Sequence, residues 1–278
     1  MLECVVNVSE GRDTAVLDEL AAAGGGCLLD LHRDPVHHRS VFTMAGEDVE
    51  EATRSLARRV VELVDLRTHS GVHPRFGALD VVPFVPLGPG GVPADGTAPL
   101  DEALDARDRF ARWAGEALAL PCFIYGPARS LPDVRSRAFR ELVPDTGPAR
   151  PHPSAGACAV GARPVLVAYN VWLETPDLAL AQRIAEAVRG PAVRALGLPF
   201  GAGTQVSCNL TDPATVGPGE LFDDVWSQAE AAGVTVARAE LVGLVPAAVL
   251  GATPRSRWTE LDLDPDRTVE ARLAAGRR

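Results

Sequence analysis

The sequence has 278 residues, 46% of them hydrophobic and 23% charged, with a net charge of −10 at pH 7. That is roughly two domains of ordinary folded protein, able to bury a core without disulfides or a structural metal. The acidic balance argues against a nucleic-acid backbone or an anionic membrane surface as the main partner. All 27 basic residues are arginine, which excludes a P-loop lysine, a Schiff-base lysine and a Ser–Lys dyad.

Leu2–Val8 reads as a strand. Asp13–Ala23 follows as a helix with an Asp cap and helical spacing at Val16, Leu17 and Leu20. After Gly24-Gly25-Gly26 come two short strands, Cys27–Leu31 and Arg39–Met44, around the turn Arg33-Asp34-Pro35. Asp48–Asp65 is an amphipathic helix, and Ala78–Leu87 an apolar strand. The first ninety residues therefore read β-α-β-β-α-β. A Gly/Pro-rich loop, Gly88–Gly96, leads to a helix over Leu100–Leu120 and a strand over Pro121–Tyr125. Residues 127–155 read as irregular, with a short helix near Val134–Leu142.

The same order then repeats. Strands are expected at Val165–Leu173, Val193–Leu198, Thr204–Leu210 and Val234–Val245. Helices are expected at Asp177–Arg189, Gly219–Ala232 and Arg267–Ala275. The fold class is α/β (α+β): two βαββαβ-type subdomains, 1–163 and 164–278, with mixed, largely antiparallel sheets. The five cysteines are scattered, odd in number and without a CxxC pair, as expected of reduced thiols in a cytoplasmic protein. No basic leader precedes the first strand, and the apolar stretch Leu241–Ala252 is too short and interrupted to span a bilayer.

Five of six histidines, His32, His37, His38, His69 and His73, fall within a short stretch. His69 and His73 share the spacing of HExxH but lack its Glu, and Pro74 disfavours helix at His73. No metal is therefore expected. His73 reads equally as a solvated loop histidine and as a general acid/base, with Arg75 placed to hold a substrate carboxylate beside it. Asn7, Ser9 and Glu10, around the end of the first strand, read either as a helix entry or as a ligand loop. The small-residue run Ser154–Gly161 permits close backbone approach but is weak as a phosphate loop. No Gly-x-Ser-x-Gly elbow and no Rossmann fingerprint is present.

These segments together resemble a known family. Glu3–Arg12, His73–Phe84, Gly156–Arg163 with Val167–Asn170, Gln205–Leu210 and Glu240–Pro246 are similar, in order, to the formiminotransferase (glutamate formimidoyltransferase) domain. In animals that domain is the N-terminal part of formimidoyltransferase-cyclodeaminase. The resemblance implies two α/β subdomains whose sheets face each other across a substrate tunnel, and a homodimer. It implies small-molecule substrates, tetrahydrofolate as co-substrate and no metal, in the one-carbon chemistry of histidine degradation. The implied reaction moves a formimidoyl group from N-formimidoyl-L-glutamate to N5 of tetrahydrofolate. His73 matches the catalytic histidine. Arg39 and Arg75 match arginines assigned to carboxylates. Asn7, Ser9, Glu10, Gly156, Asn170, Gln205 and Asn209 fall in matching segments and, with His32 and His38, are expected to bind substrate, and Pro148–Ala157 corresponds to the folate-contacting stretch. The chain departs from the family at His32, where an acid is usual, at His38, where Asn is usual, and at Val72, where Glu is usual. The alternatives are a same-fold enzyme with a different donor or acceptor, and a folate-binding protein without catalysis.

Overall fold

The computed structural model describes residues 1–71, 75–88 and 99–276. The chain forms two compact units, Met1–Pro164 and Val165–Gly276. The first runs β1 (Leu2–Val8), α1 (Thr14–Gly24), β2 (Leu28–Asp34), β3 (Arg39–Gly46), α2 (Val49–Leu63) and β4 (Leu79–Pro86). It continues through α3 (Asp101–Ala117), β5 (Cys122–Tyr125), α4 (Leu131–Arg137) and β6 (Cys158–Ala162). These strands form one sheet of order β2-β3-β1-β4-β6-β5. β1, β2, β3 and β4 pair antiparallel, while β6 lies parallel to both β4 and β5.

Side chains alternate across this sheet. One face sends Val6, Val8, Phe42, Met44, Phe84 and Val160 into the core against the helices. The opposite face is polar at one end and apolar at the other. Strand pairing sets His32 and Asn7 opposite Val41, with Arg39 two residues along. Toward β5, Val81, Phe123, Tyr125 and Ala159 form a smaller core beneath Val134 of α4.

The second unit runs β7 (Val167–Leu173), α5 (Leu178–Ala187), β8 (Val193–Phe200), β9 (Gly203–Leu210), α6 (Pro218–Ala231) and β10 (Val236–Val242). Two further helices, α7 (Ala247–Ala252) and α8 (Val269–Gly276), close it. Its sheet order is β10-β7-β9-β8, antiparallel throughout. Only the first sheet is mixed, because only there does a helical crossover deliver extra strands parallel to β4. One face of the second sheet packs Tyr169, Val171, Val206 and Leu241 against Ile184, Leu221 and Val225 of the helices.

Local chemistry sets most element ends. Asp13 and Asp177 cap α1 and α5, their carboxylates accepting backbone N–H groups at 2.9–3.2 Å. Ser130 and Asp133 form a capping box with Pro132 in the first turn, so α4 starts earlier than the apolar spacing of Val134–Leu142 suggests. The small-residue run is the principal departure. Cys158–Ala162 is a fully buried strand between β4 and the edge strand β5, not a ligand loop. Its small side chains make room for the Tyr125 ring: a Cβ on Gly161 would lie 2.1 Å from Tyr125 Cζ. The Gly/Pro-rich loop, apart from Gly88, lies outside the described residues.

Gly161→Ala should therefore overpack the sheet and destabilise the protein by about 1–3 kcal/mol. Thermal unfolding checks this, and an unchanged Tm would contradict the packing of Tyr125 on β6.

Candidate functional site

The polar end of the first sheet is built where β1, the β2–β3 turn and the segment before β4 meet. Ser9 is buried; its Oγ donates to the Gly77 carbonyl at 2.8 Å and its N–H to that of Ala78 at 2.8 Å. The Glu10 carboxylate accepts the N–H groups of Gly11, Arg12 and Asp13 at 2.8, 2.7 and 3.0 Å. Gly11 lies against the hairpin backbone, where a Cβ would meet the Asp34 carbonyl at 2.3 Å and the Arg39 nitrogen at 2.6 Å. No side chain fits there.

The turn after β2 is tied down by Asp34. Its Oδ1 accepts the N–H groups of Val36 and His37 at 2.9 Å each, and its Oδ2 pairs with His37 Nδ1. Burial pushes the Asp34 carboxyl up, but the bonds from His37 and Val36 outweigh it and hold it below its ordinary value. The turn delivers His38 with φ +54°, a left-handed conformation for which Asn and His are enriched. The Asn that the family resemblance implies at this position suits that backbone for the same reason.

His38 and His69 stack, ring centroids 4.0 Å apart and planes 25° from parallel. His69 Nε2 lies 3.1 Å from the His38 carbonyl and serves as its donor. That leaves the buried Nδ1 of His69 as an acceptor with no partner among the described residues. His38 Nδ1 accepts the Gly11 N–H at 3.1 Å and lies 3.3 Å from Glu10 Oε1. Both imidazoles are held below their ordinary pKa. Burial is the first cause for each, aided by the Arg75 charge, with Glu10 opposing it. Both shifts favour the neutral form of the rings.

Arg75 donates to the Gly71 carbonyl at 2.5 Å, joining the residues that flank 72–74. His73, the expected catalytic histidine, and Val72 lie outside the described residues. Asp80 lies under this region, 3% exposed. Its Oδ1 accepts from the N–H groups of Phe76 and, at 3.3 Å, Gly77; its Oδ2 accepts from Arg135 at 2.5 Å. Its charge also faces Arg39 and Arg75, whose guanidinium pKa values burial lowers.

Of the expected residues, Ser9, Glu10, His38, Arg39 and Arg75 come together here. Asn7 and His32 lie on the same sheet face, and Asn7 donates to the Val5 carbonyl at 3.2 Å. Gly156, at φ +70°, bridges to Gly77 and lines a cavity beside Arg75. In the second unit, Asn170 and Trp172 donate to Glu240 Oε2 at 3.0 and 3.1 Å. Gln205, facing Trp172 in the register, is 2% exposed with its Oε1 unpartnered among the described residues. Asn209, farther along β9, is exposed. Asp80 and Arg135 were not anticipated as a pair. Fifty-five positions separate them, and no local pattern links them. Among the described residues no three His, Cys, Asp or Glu side chains are grouped to hold a metal, and no helix is long and apolar enough to cross a membrane.

Residues 1–163 match the family described as "Formiminotransferase domain, N-terminal subdomain". The chain belongs to the formiminotransferase family. It is 34% identical over 278 residues to a glutamate formimidoyltransferase of Streptococcus pyogenes serotype M1, covering 90% of each chain. It is 33% identical to a glutamate formimidoyltransferase of Thermoplasma acidophilum, covering 88% of each. It is 35% identical to the formimidoyltransferase-cyclodeaminase of Sus scrofa, of whose length it spans 50%. The formiminotransferase-family chain is thus an enzyme of the transferase class.

Two predictions follow from this geometry. Asp80→Asn removes the counter-charge of Arg135, which is itself 27% exposed at the side chain, and should cost roughly 2 kcal/mol in urea unfolding. A loss within error would show that the pair is not stabilising. The lowered His38, His69 and Asp34 values share one sign: the unfolded state binds more protons, so stability falls on acidification. For the histidines the loss begins as pH drops below about 6.5, the unfolded value. His69→Gln should shrink the difference in urea midpoint between pH 7.5 and 5.5; an unchanged difference would contradict the assignment.

Proposed function

We propose that this family member is a glutamate formimidoyltransferase. It transfers the formimidoyl group of N-formimidoyl-L-glutamate to N5 of tetrahydrofolate and releases glutamate. The carrying observation is the similarity along most of the chain to relatives named for that activity, at 34% identity over 90% of both chains. The site geometry supports it. Neutral imidazoles and several arginines surround the flanks of residues 72–74, suiting proton transfer beside anionic substrates.

In the proposed reaction N5 attacks the amidine carbon and a tetrahedral intermediate forms. His73 accepts the proton leaving N5 and delivers it to the departing glutamate nitrogen, whose bond to carbon breaks as the amidine re-forms on N5. Arg75 and Arg39 balance substrate carboxylates. Holding the two substrates in register supplies much of the remaining rate.

A second reading, the same chemistry with a different donor, is favoured by one observation. The family's acid is His32 here, and Asp34 is bound by the His37 ring and two backbone N–H groups, so it is not available to replace that acid.

His73→Ala should lower kcat by about 10²–10⁴-fold with Tm unchanged. Absorbance of the methenyl product, formed by acid from 5-formimidoyl-tetrahydrofolate, reports the reaction. A fully active variant overturns the role of His73. A wild-type protein that binds tetrahydrofolate but does not turn over N-formimidoyl-L-glutamate selects the second reading.

A further inference from the structure

The short segment between Arg75 and the start of β4 is held more completely than strand pairing requires. Phe76 and Gly77 donate their N–H groups to Asp80 Oδ1. The Phe76 carbonyl accepts from the Ala157 N–H at 3.2 Å, and the Ala78 N–H donates to the Ala155 carbonyl at 2.9 Å. Ser9 takes the two carbonyls that remain: its Oγ donates to that of Gly77 and its N–H to that of Ala78, each at 2.8 Å. Every backbone donor and acceptor from Phe76 to Ala78 therefore has a partner. Packing leaves no slack either, since a Cβ on Gly77 would lie 1.9 Å from the Ala157 carbonyl oxygen.

The acceptor chosen for the two amides is an expensive one. Asp80 is 3% exposed, and a buried carboxylate, even one paired with Arg135 at 2.5 Å, is a poor source of stability because desolvation offsets the attraction. A charged acceptor does, however, hold amide donors more strongly than a neutral one. The amide it holds is significant. The Phe76 N–H belongs to the peptide unit that Arg75 begins, and that unit is planar. Fixing it fixes the direction in which Arg75 leaves the backbone, and the guanidinium then reaches the Gly71 carbonyl at 2.5 Å.

We infer that Asp80 and Ser9 are positioning residues, which set the backbone from which Arg75 is presented to a substrate carboxylate. Asp80 acts through the N–H groups of Phe76 and Gly77, and Ser9 through the carbonyls of Gly77 and Ala78. The carboxylate role of Arg75 rests on the function proposed above; the clamp on the backbone does not.

Amide hydrogen exchange of the intact protein, read by mass spectrometry on peptides spanning the clamp, tests it without any substrate. Asp80→Ala should speed exchange of the Phe76 and Gly77 amides about tenfold, whereas Asp80→Asn, which keeps an Oδ1 acceptor, should change it less than about threefold. Steady-state kinetics test the purpose of the clamp. The kcat/KM for N-formimidoyl-L-glutamate should fall about tenfold in Asp80→Ala and in Ser9→Ala, and stay within about threefold of wild type in Asp80→Asn. Each loss should vanish in an Arg75→Gln background, because a residue that acts through Arg75 then has nothing to position. A merely structural role would multiply the losses instead. The proposal is overturned by unchanged exchange in Asp80→Ala, by equal loss of activity in Asp80→Asn and Asp80→Ala, or by losses that multiply. If Asp80→Ala does not fold, Ser9→Ala carries the same double-mutant test. A wild type that transfers no formimidoyl group loses the reaction proposed above, and exchange at Phe76 and Gly77 still decides the clamp.

Discussion

The buried carboxylate of Asp80 holds the polar end of the first sheet together. A carboxylate removed from water must be matched by donors and opposite charge. Here the matching groups are the N–H groups of Phe76 and Gly77, the Arg135 guanidinium, and the nearby charges of Arg39 and Arg75. Each partner belongs to a different part of the unit. The two amides fix the entry to β4, Arg135 anchors α4, Arg39 opens β3, and Arg75 closes on Gly71. One side chain thus sets the spacing between the histidine cluster and the cavity beside Arg75. The sheet beneath is rigid because its other face is a continuous apolar core.

The arginines recruited around Asp80 have a second consequence. Arg75 is the one among them whose charge reaches His38 and His69, and it adds to burial in lowering both imidazole pKa values. A neutral stacked pair can approach to 4.0 Å, which two imidazolium rings would resist. Neutrality also fixes the tautomers. His38 accepts from Gly11, and His69 donates to the His38 carbonyl, so the proton positions follow from the backbone. The same positive field favours anionic ligands in a chain that is acidic overall. The charge distribution, not the net charge, is what the site uses.

Where local pattern decides structure, the sequence is legible. β1 runs over Leu2–Val8 as its alternation suggests, and the Asp13 and Asp177 caps open α1 and α5. The paired βαββαβ order follows from the same periodicities. Cys158–Ala162 is harder to read, because a strand buried on both faces has no alternation and its small residues are chosen by the Tyr125 ring above them. The site divides along the same line. Ser9, Glu10 and the histidines lie in short segments with recognisable chemistry. The Asp80–Arg135 pair depends on tertiary packing, which leaves no local signature. The position of His38 combines both. Its residue type departs from the family, yet its left-handed backbone is the constraint that the usual Asn also satisfies.

That constraint bears on the changed residues around the site. In the reaction proposed here the amidine gains from a nearby negative charge, and His32 stands where the family resemblance implies an acid. The carboxylates that remain close are already engaged: Glu10 by three consecutive N–H groups, and Asp34 by the turn it organises. Neither can be withdrawn without unfolding the loop that presents His38. Compensation by a freed acid therefore conflicts with the architecture, whereas compensation by a smaller demand does not. A donor whose reacting group carries less positive charge would meet neutral imidazoles at His38 and His69 without penalty, and the arginines would still bind its carboxylates. The substitution at His32 and the neutrality of the stacked pair favour a site that tolerates less cationic character at the reacting carbon, which gives the second reading of the donor its physical basis.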